Sequence, residues 1–293
     1  MSDYIVRATA AQGHIRAYAA VTTQLCETAR TAHSATPAVT VALGRLLTAG
    51  SLMGGMSKNA DEVLTLRIDC EGPLSGMTVT ANGKAEVKGF AFNHDVDSID
   101  PLKVSNLIGG AGKLTIIKDI GLKEPYVGTS PLATGEIAED LTYYYAMSEQ
   151  IPTSVALGVT LNDDHSVQAA GGFIIQLMPD IDDALVDQLE AALSHAPSVT
   201  DMLAAGKTPE DILHLLLDAF DLDIIDTLPT AFVCDCSRDR VHKALMSVGE
   251  KDIRGMIAEG ETVEINCDFC GRHYYFTPED LQKLLAEIRK QRQ

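Results

Sequence analysis

Cys234-Asp235-Cys236 and Cys267-Asp268-Phe269-Cys270 gather four of the chain's six cysteines into two tight pairs within its last sixty residues. A pair one residue apart, thirty intervening positions, then a pair two residues apart is a spacing that makes four thiolates converge on one tetrahedral ion, and zinc is the expected metal. Charge demands the ion as much as geometry does. Four thiolates crowded within a few Å repel, and a free thiol of pKa about 8.5 is mostly protonated near neutral pH, so a dication is needed to keep the set deprotonated. Asp235 and Asp268 make the setting acidic, opposite to the electropositive surroundings of a reactive dithiol. Metal, rather than a neighbouring cation, is therefore predicted to hold the sulfurs. Gly271 follows the second pair as in a zinc knuckle, free to take positive φ and turn backbone N–H groups toward sulfur. The first pair leaves two readings open, because sulfurs separated by a single residue either ligate one ion or close a small strained disulfide ring of the labile kind. On spacing alone, a purely structural four-cysteine clip and a switch both stand.

Composition narrows the class. The 293 residues, 46% hydrophobic, suit one large domain plus a small one. Cys26 and Cys70 are isolated, so the cysteines suggest a reducing compartment rather than a secreted disulfide framework. Met1-Ser2-Asp3-Tyr4 lacks the basic region and apolar run of a signal peptide, and the apolar stretch from Val39 to Met56 is interrupted by Arg45 and several glycines, so no membrane partner is expected and the cytoplasm is the predicted location. A net charge of −18 opposes a nucleic-acid partner, since affinity for phosphate comes from Lys and Arg. Its distribution is uneven: residues 179–233 carry 12 acidic side chains and one basic, against 18 and 12 in residues 1–178 and 11 and 10 in residues 234–293.

Three parts follow: a mixed domain over 1–178, an acidic amphipathic helical linker over 179–228, and a small zinc-binding domain over 229–293. In the first, strands are predicted at 15–21, 63–68, 114–117, 141–147, 155–161 and 167–177, and Asn82-Gly83 between two apolar runs predicts a type I′ hairpin. Residues 37–57 predict a helix with Ala42, Leu46, Ala49, Met53 and Met56 on one face and glycines that admit a close neighbour. Antiparallel sheet with a few helices makes the fold class α+β. In the linker, Asp180 to Asp183 start one helix whose face is Leu185, Leu189 and Leu193, and Thr208-Pro209-Glu210-Asp211 caps another whose face is Ile212, Leu215, Leu216 and Phe220. Such acidic helices repel themselves and must bury an apolar face to persist. Beyond Cys236, helices are expected at 238–246, at 251–256 and after Thr277-Pro278-Glu279-Asp280, with Leu281, Leu284, Leu285 and Ile288 inward. About sixty residues bury little core unaided, so folding and metal occupancy become nearly one variable.

Residues 1–178 offer no acid–base or nucleophile constellation, and no catalytic residue is expected. Gly109-Gly110-Ala111-Gly112-Lys113 has Leu107 and Leu114 where a phosphate loop needs Gly and Ser or Thr. Gly171-Gly172 reads as a bulge or close approach, Tyr143-Tyr144-Tyr145 as packing, and His14, His33, His94 and His165 as scattered loop residues. The alternative to a switch is a cytosolic enzyme or adaptor with zinc as a remote clip.

The chain resembles the 33 kDa chaperonin family of redox-regulated bacterial chaperones along its whole length. The resemblance is carried by Val41-Ala42-Leu43-Gly44-Arg45-Leu46-Leu47-Thr48-Ala49, by Tyr143-Tyr144-Tyr145 running on to Ser148-Glu149-Gln150-Ile151-Pro152, by Ala169-Ala170-Gly171-Gly172-Phe173-Ile174-Ile175-Gln176-Leu177, and by the cysteine layout. It implies an ATP-independent holdase, not an enzyme, inactive while one zinc ion sits on reduced Cys234, Cys236, Cys267 and Cys270. It further implies that oxidation joins Cys234 with Cys236 and Cys267 with Cys270, releases zinc, unfolds the redox-switch domain and loosens the linker. The active form would then hold unfolded client proteins under oxidative and heat stress, commonly as a homodimer.

Overall fold

The chain opens with a hairpin, β1 (Tyr4–Ala10) and β2 (Ile15–Val21), and enters two helices, α1 (Thr23–His33) and α2 (Pro37–Gly55). Then come β3 (Val63–Cys70), β4 (Gly76–Asn82), β5 (Glu86–Ala91), a short α3 (Ser105–Ile108), β6 (Gly112–Asp119) and β7 (Tyr126–Pro131). Helix α4 (Ala138–Tyr144) runs into a π turn, Tyr145–Glu149, before β8 (Thr153–Leu161) and β9 (Val167–Leu177). The acidic segment supplies α5 (Asp183–His195), α6 (Val199–Ala204), α7 (Pro209–Leu217), β10 (Asp223–Pro229) and β11 (Ala231–Phe232). This computed structural model describes residues 2–179 and 181–291, so Met1, Asp180, Arg292 and Gln293 lie outside the described residues; by compactness the chain divides into Met1–Val233 and Cys234–Gln293.

In the first unit two sheets enclose α2. One has the order β10-β1-β2-β9-β8, antiparallel throughout; the other has the order β11-β5-β4-β3-β6-β7, antiparallel except for β11 beside β5. Thr36 caps α2 by accepting from the Val39 N–H, and Pro37 occupies the first turn, where no N–H is needed. Seventeen of the nineteen residues are buried, so the helix is apolar all round and not on one face alone. Its length and composition would suit a membrane span, yet it lies in the core of this unit. The helical glycines do admit a close neighbour: a Cβ on Gly50 would stand 2.6 Å from Val79 Cγ1, and one on Gly54 2.7 Å from the Asn82 carbonyl.

The outer face of the five-stranded sheet is covered by the acidic segment. Val6, Ala8, Ala17, Ala19, Phe173 and Ile175 pack beneath Leu189, Met202, Leu203, Ile212, Leu216 and Phe220. Helix α7 is seated through Ile212, Leu213, Leu216 and Leu217, with the Thr208–Asp211 capping box closed in both directions at 3.0 and 3.2 Å. Leu215, expected on that face, is 54% exposed, because the sheet meets the 212/213/216/217 stripe. Helix α5 begins at the Asp182 cap and buries only Leu189 fully, whereas α6 buries Val199, Met202 and Leu203, so α6 and α7 together carry most of the attachment, at about 1.5–3 kcal/mol for each fully buried Leu or Ile. The segment is not helical throughout: β10 pairs with β1, Leu228 opposite Ile5, completing the sheet's edge.

Two further expectations are corrected. Residues 141–147 are helical, not a strand. Asp140 sits fully buried with its carboxylate accepting the N–H groups of Ala133, Thr134, Gly135 and Ile137 at 2.7–3.1 Å, which fixes the turn that starts α4 and holds Ile137 at a φ of 68°. Tyr144 and Tyr145 are both buried, as a helix allows and an alternating strand does not. The hairpin after Asn82 is a three-residue loop with Ala85 at φ 56°, not a type I′ turn; Gly83 is needed because a Cβ there would lie 2.0 Å from the Asn59 carbonyl.

In the second unit, α8 (Arg238–Val248), α9 (Glu250–Glu259), a hairpin of β12 (Val263–Asn266) and β13 (His273–Phe276), and α10 (Pro278–Gln291) surround a small core of Leu245, Ile253, Tyr274, Phe276, Leu281, Leu284 and Ile288. Thr277 and Asp280 cap α10 reciprocally, and Arg238 bonds Asp280 at 2.7 Å while stacking over Phe276.

Asp140→Ala removes the acceptor of four N–H groups at once, those of Gly135 and Ile137 being buried, and the expected loss is on the order of 3–5 kcal/mol of unfolding free energy, read by urea denaturation as a lower midpoint. A loss under about 1 kcal/mol would mean that the carboxylate does not organise the start of α4.

Candidate metal centre

Cys234 and Cys236 lie in extended chain ahead of α8, whose cap, Ser237, accepts from the Arg240 N–H. Cys267 and Cys270 lie in the turn between β12 and β13. There the Cys267 N–H donates to the Arg272 carbonyl at 2.9 Å, and the Cys270 and Gly271 N–H groups donate back to the Cys267 carbonyl at 3.2 and 2.8 Å. Gly271 takes a φ of 67°, the left-handed conformation expected of a knuckle. The pairing of β12 with β13, Asn266 opposite His273, fixes where this turn falls.

The four Sγ atoms lie within 4.8 Å of one another, and all four cysteines are free thiols. Between the pairs, Cys234 Sγ lies 3.7 Å from Cys267 Sγ and Cys236 Sγ lies 3.4 Å from Cys270 Sγ. Zinc–sulfur bonds of about 2.3 Å in a tetrahedron put sulfurs about 3.8 Å apart, so the four donors fit that ion's size and its preference for thiolate. The sulfurs are half-buried, which permits both enclosure of an ion and approach by a small reagent.

The thiols are electrostatically unequal. Burial pushes Cys234 up, against an opposing hydrogen bond from the Cys236 backbone, and Cys267 is likewise raised by burial. Burial also works against the Cys236 thiolate, but hydrogen bonds from Tyr274 and then from the neighbouring thiols outweigh it, leaving Cys236 at about 7. The Tyr274 hydroxyl donates to Cys236 Sγ at 3.2 Å. Arg272 is held above its usual value by Tyr274 and by the charges of Cys236 and Cys270, which places a guanidinium beside the cluster. Asp235 is ion-paired with Arg240. The setting is thus less acidic than residue spacing implied, and a neighbouring cation does contribute. Arg272 and Tyr274 were missed because their signal was the alternation of His273-Tyr274-Tyr275-Phe276, which puts Tyr274 and Phe276 on the inner side of β13.

The remaining sequence candidates are not brought together. Gly109 to Gly112 follow the short α3 and lead into strand β6 rather than opening a helix, so no phosphate cradle forms. Cys26 is buried against Thr22 and Gly44, and burial pushes its thiol up to about 12; Cys70 is half-buried and raised for the same reason. Among the described residues, no other cluster has metal-ligand character.

Two sheets around a buried helix, followed by a small unit whose four cysteines could hold a metal ion, define a two-unit α+β protein. The family model described as Hsp33 protein matches residues 3–277. The 33 kDa chaperonins of Lachnoclostridium phytofermentans and Agathobacter rectalis are each 52% identical, over 98% and 97% of this chain and 99% and 100% of their own lengths. The crystal structure of the 33 kDa chaperonin (heat shock protein 33 homolog) from Thermotoga maritima superposes with a TM-score of 0.92 at 30% identity, covering 99% of this chain and 100% of that one. The chain belongs to the Hsp33 family of chaperones.

Removing the Tyr274 hydroxyl takes away a donor that favours the Cys236 thiolate, so Tyr274→Phe is expected to weaken metal retention in the reduced protein, read as release of half the bound ion at a lower chelator concentration. An unchanged chelator midpoint would contradict the assignment.

Proposed function

We propose that the protein is a redox-regulated, ATP-independent holdase that binds unfolding proteins, with 1–178 as chaperone core, 179–228 as acidic linker and 229–293 as the switch. The observation that carries this reading is the convergence of four half-buried sulfurs in a unit whose own core is seven side chains. Zinc, when bound, supplies a dication that neutralises the thiolates and a folding contribution of roughly 10–16 kcal/mol, as in zinc-finger peptides. Cys234, Cys236, Cys267 and Cys270 are the ligands. An oxidant such as peroxide or hypochlorite takes two electrons from each pair of thiolates, Cys234 with Cys236 and Cys267 with Cys270; for each disulfide formed it takes up two protons from solvent, peroxide leaving as two waters and hypochlorite as chloride and one water. Disulfide sulfurs are no longer thiolate donors, so closing both pairs abolishes the site and leaves the small core to stand alone.

The second half of the switch is the attachment of the acidic segment. Its 12 acidic side chains against one basic make it self-repelling, and it stays in place by burying Ile212, Leu213, Leu216, Leu217 and Phe220 on the sheet. Release would expose the sheet's apolar outer face to unfolded clients, and the same face suits association of two activated copies as a homodimer. A cytoplasmic setting is consistent with free thiols. Catalysis, nucleic acid and membrane have no part in the reading.

The test follows zinc release and suppression of client aggregation together during an oxidant titration at a mildly unfolding temperature. Reduced, metal-loaded protein is expected to leave aggregation unchanged, and oxidation to raise release and suppression in parallel. Cys234→Ser and Cys267→Ser, each lacking a ligand, are expected to suppress aggregation without oxidant. Suppression indifferent to oxidant, or release without suppression, would sink the proposal.

A further inference from the structure

Residues 222–233 form a strap that closes two sheet edges in succession. Strand β10 lies antiparallel on β1, with Val6 opposite Thr227 and Ile5 opposite Leu228, while β11 lies parallel on β5, with Ala231 opposite Glu86 and Phe232 opposite Val87. Between them Thr230 is buried and bonded three ways: its N–H to the Asp3 carbonyl at 3.2 Å, its hydroxyl to the Ala85 carbonyl at 2.7 Å, and the same hydroxyl to Ser51 Oγ at 2.8 Å. The Val233 N–H then donates to the Val87 carbonyl at 2.8 Å, and the next residue is the metal-centre cysteine Cys234. The strap therefore ends, by covalent continuity, at the ligand set.

We infer that the edges of β1 and β5 under this strap are the strand-acceptor sites for client polypeptide, which takes the strap's place when the strap lifts. This rests on the proposed function and specifies its binding surface. The occupant is an extended, apolar segment of an unfolded chain, because the strap itself shows what the edges accept. Backbone N–H and C=O groups of β1 and β5 would otherwise be left unpaired, and an added strand restores them whatever its sequence. Side-chain selection comes from the seats of Leu228, against Ile5 and beside Gly55, and of Phe232, beside the His33 ring. Arg7, paired with Asp226 through Nε and Nη2 in the strapped state, loses its counter-ion, so segments bearing an acidic or neutral residue there are favoured over basic ones.

Hydrogen exchange on the full-length oxidised protein, with and without a chemically unfolded client, tests this. Amides of β1 directed at β10 and of β5 directed at β11 are expected to exchange at least about tenfold faster after oxidation and to regain protection when client is added. A synthetic peptide of residues 222–233 in excess is expected to lower client suppression by half or more, and a scrambled peptide to leave it unchanged. Thr230→Val, which removes both hydroxyl bonds, is expected to speed the same amides in the reduced state. If oxidised protein suppresses aggregation while β1 and β5 stay protected throughout and the peptide has no effect, this inference fails and the holdase reading survives. If oxidised protein suppresses nothing, both fail. Protection that returns on oxidation without client, at doubled mass, assigns the edges to a second copy and overturns the client assignment.

Discussion

Four sulfur atoms within 4.8 Å of one another cannot all carry charge without a counter-charge at their centre, and the second unit is arranged around that constraint. Its hairpin turn, its Gly271 conformation and the extended run before α8 serve to bring the two cysteine pairs together, while the core behind them is small. Burial raises Cys234 and Cys267 even though the Cys236 backbone N–H favours the Cys234 thiolate, while at Cys236 burial is outweighed by hydrogen bonds from Tyr274 and the neighbouring thiols, which bring it to about 7. These protein groups bias the cluster without replacing an ion. In the proposed switch, oxidation is the chemistry that changes these half-buried sulfurs.

The first unit is stable for a different reason. Its central helix is enclosed by sheets on two sides, and its polar commitments, such as the four N–H groups gathered by Asp140, are met internally. On this frame the acidic segment is an added layer whose hold depends on two short helices, α6 and α7, and on the strap through Thr230. With 12 acidic side chains and one basic, this layer holds most of the chain's net negative charge, so self-repulsion works against its packing, and its C-terminal end is followed directly by the first cysteine pair. In the proposed switch the small unit and the acidic layer are thus linked by the chain itself.

Much of this was legible in the residues. The cysteine spacing found the cluster, period-2 apolar runs found β2, β3, β8 and β9, and threonine followed by proline and acids found the starts of α7 and α10. What escaped has physical causes. The tyrosine run alternates like a strand, and only the long-range network of Asp140 makes helix the better answer. Helix α1 carries few large apolar residues, burying only Leu25, Cys26 and Ala29. Strand β10 is a short edge strand whose register is set by β1, more than two hundred residues earlier, so its helical surroundings in sequence pointed the wrong way. Leu215 and Leu213 are equally apolar, and only the position of the sheet decides which is buried.

The central claim is that residues 234–293 owe their order to metal ligation by four reduced cysteines. Limited proteolysis of the reduced protein before and after a high-affinity zinc chelator, with cut sites mapped by mass spectrometry, addresses it most directly. The account predicts resistance before chelation and rapid cutting within 234–293 afterwards, with β1 to β9 remaining intact. A tail that stays equally resistant once its metal is gone, or a reduced protein that yields no metal to the chelator, would contradict it.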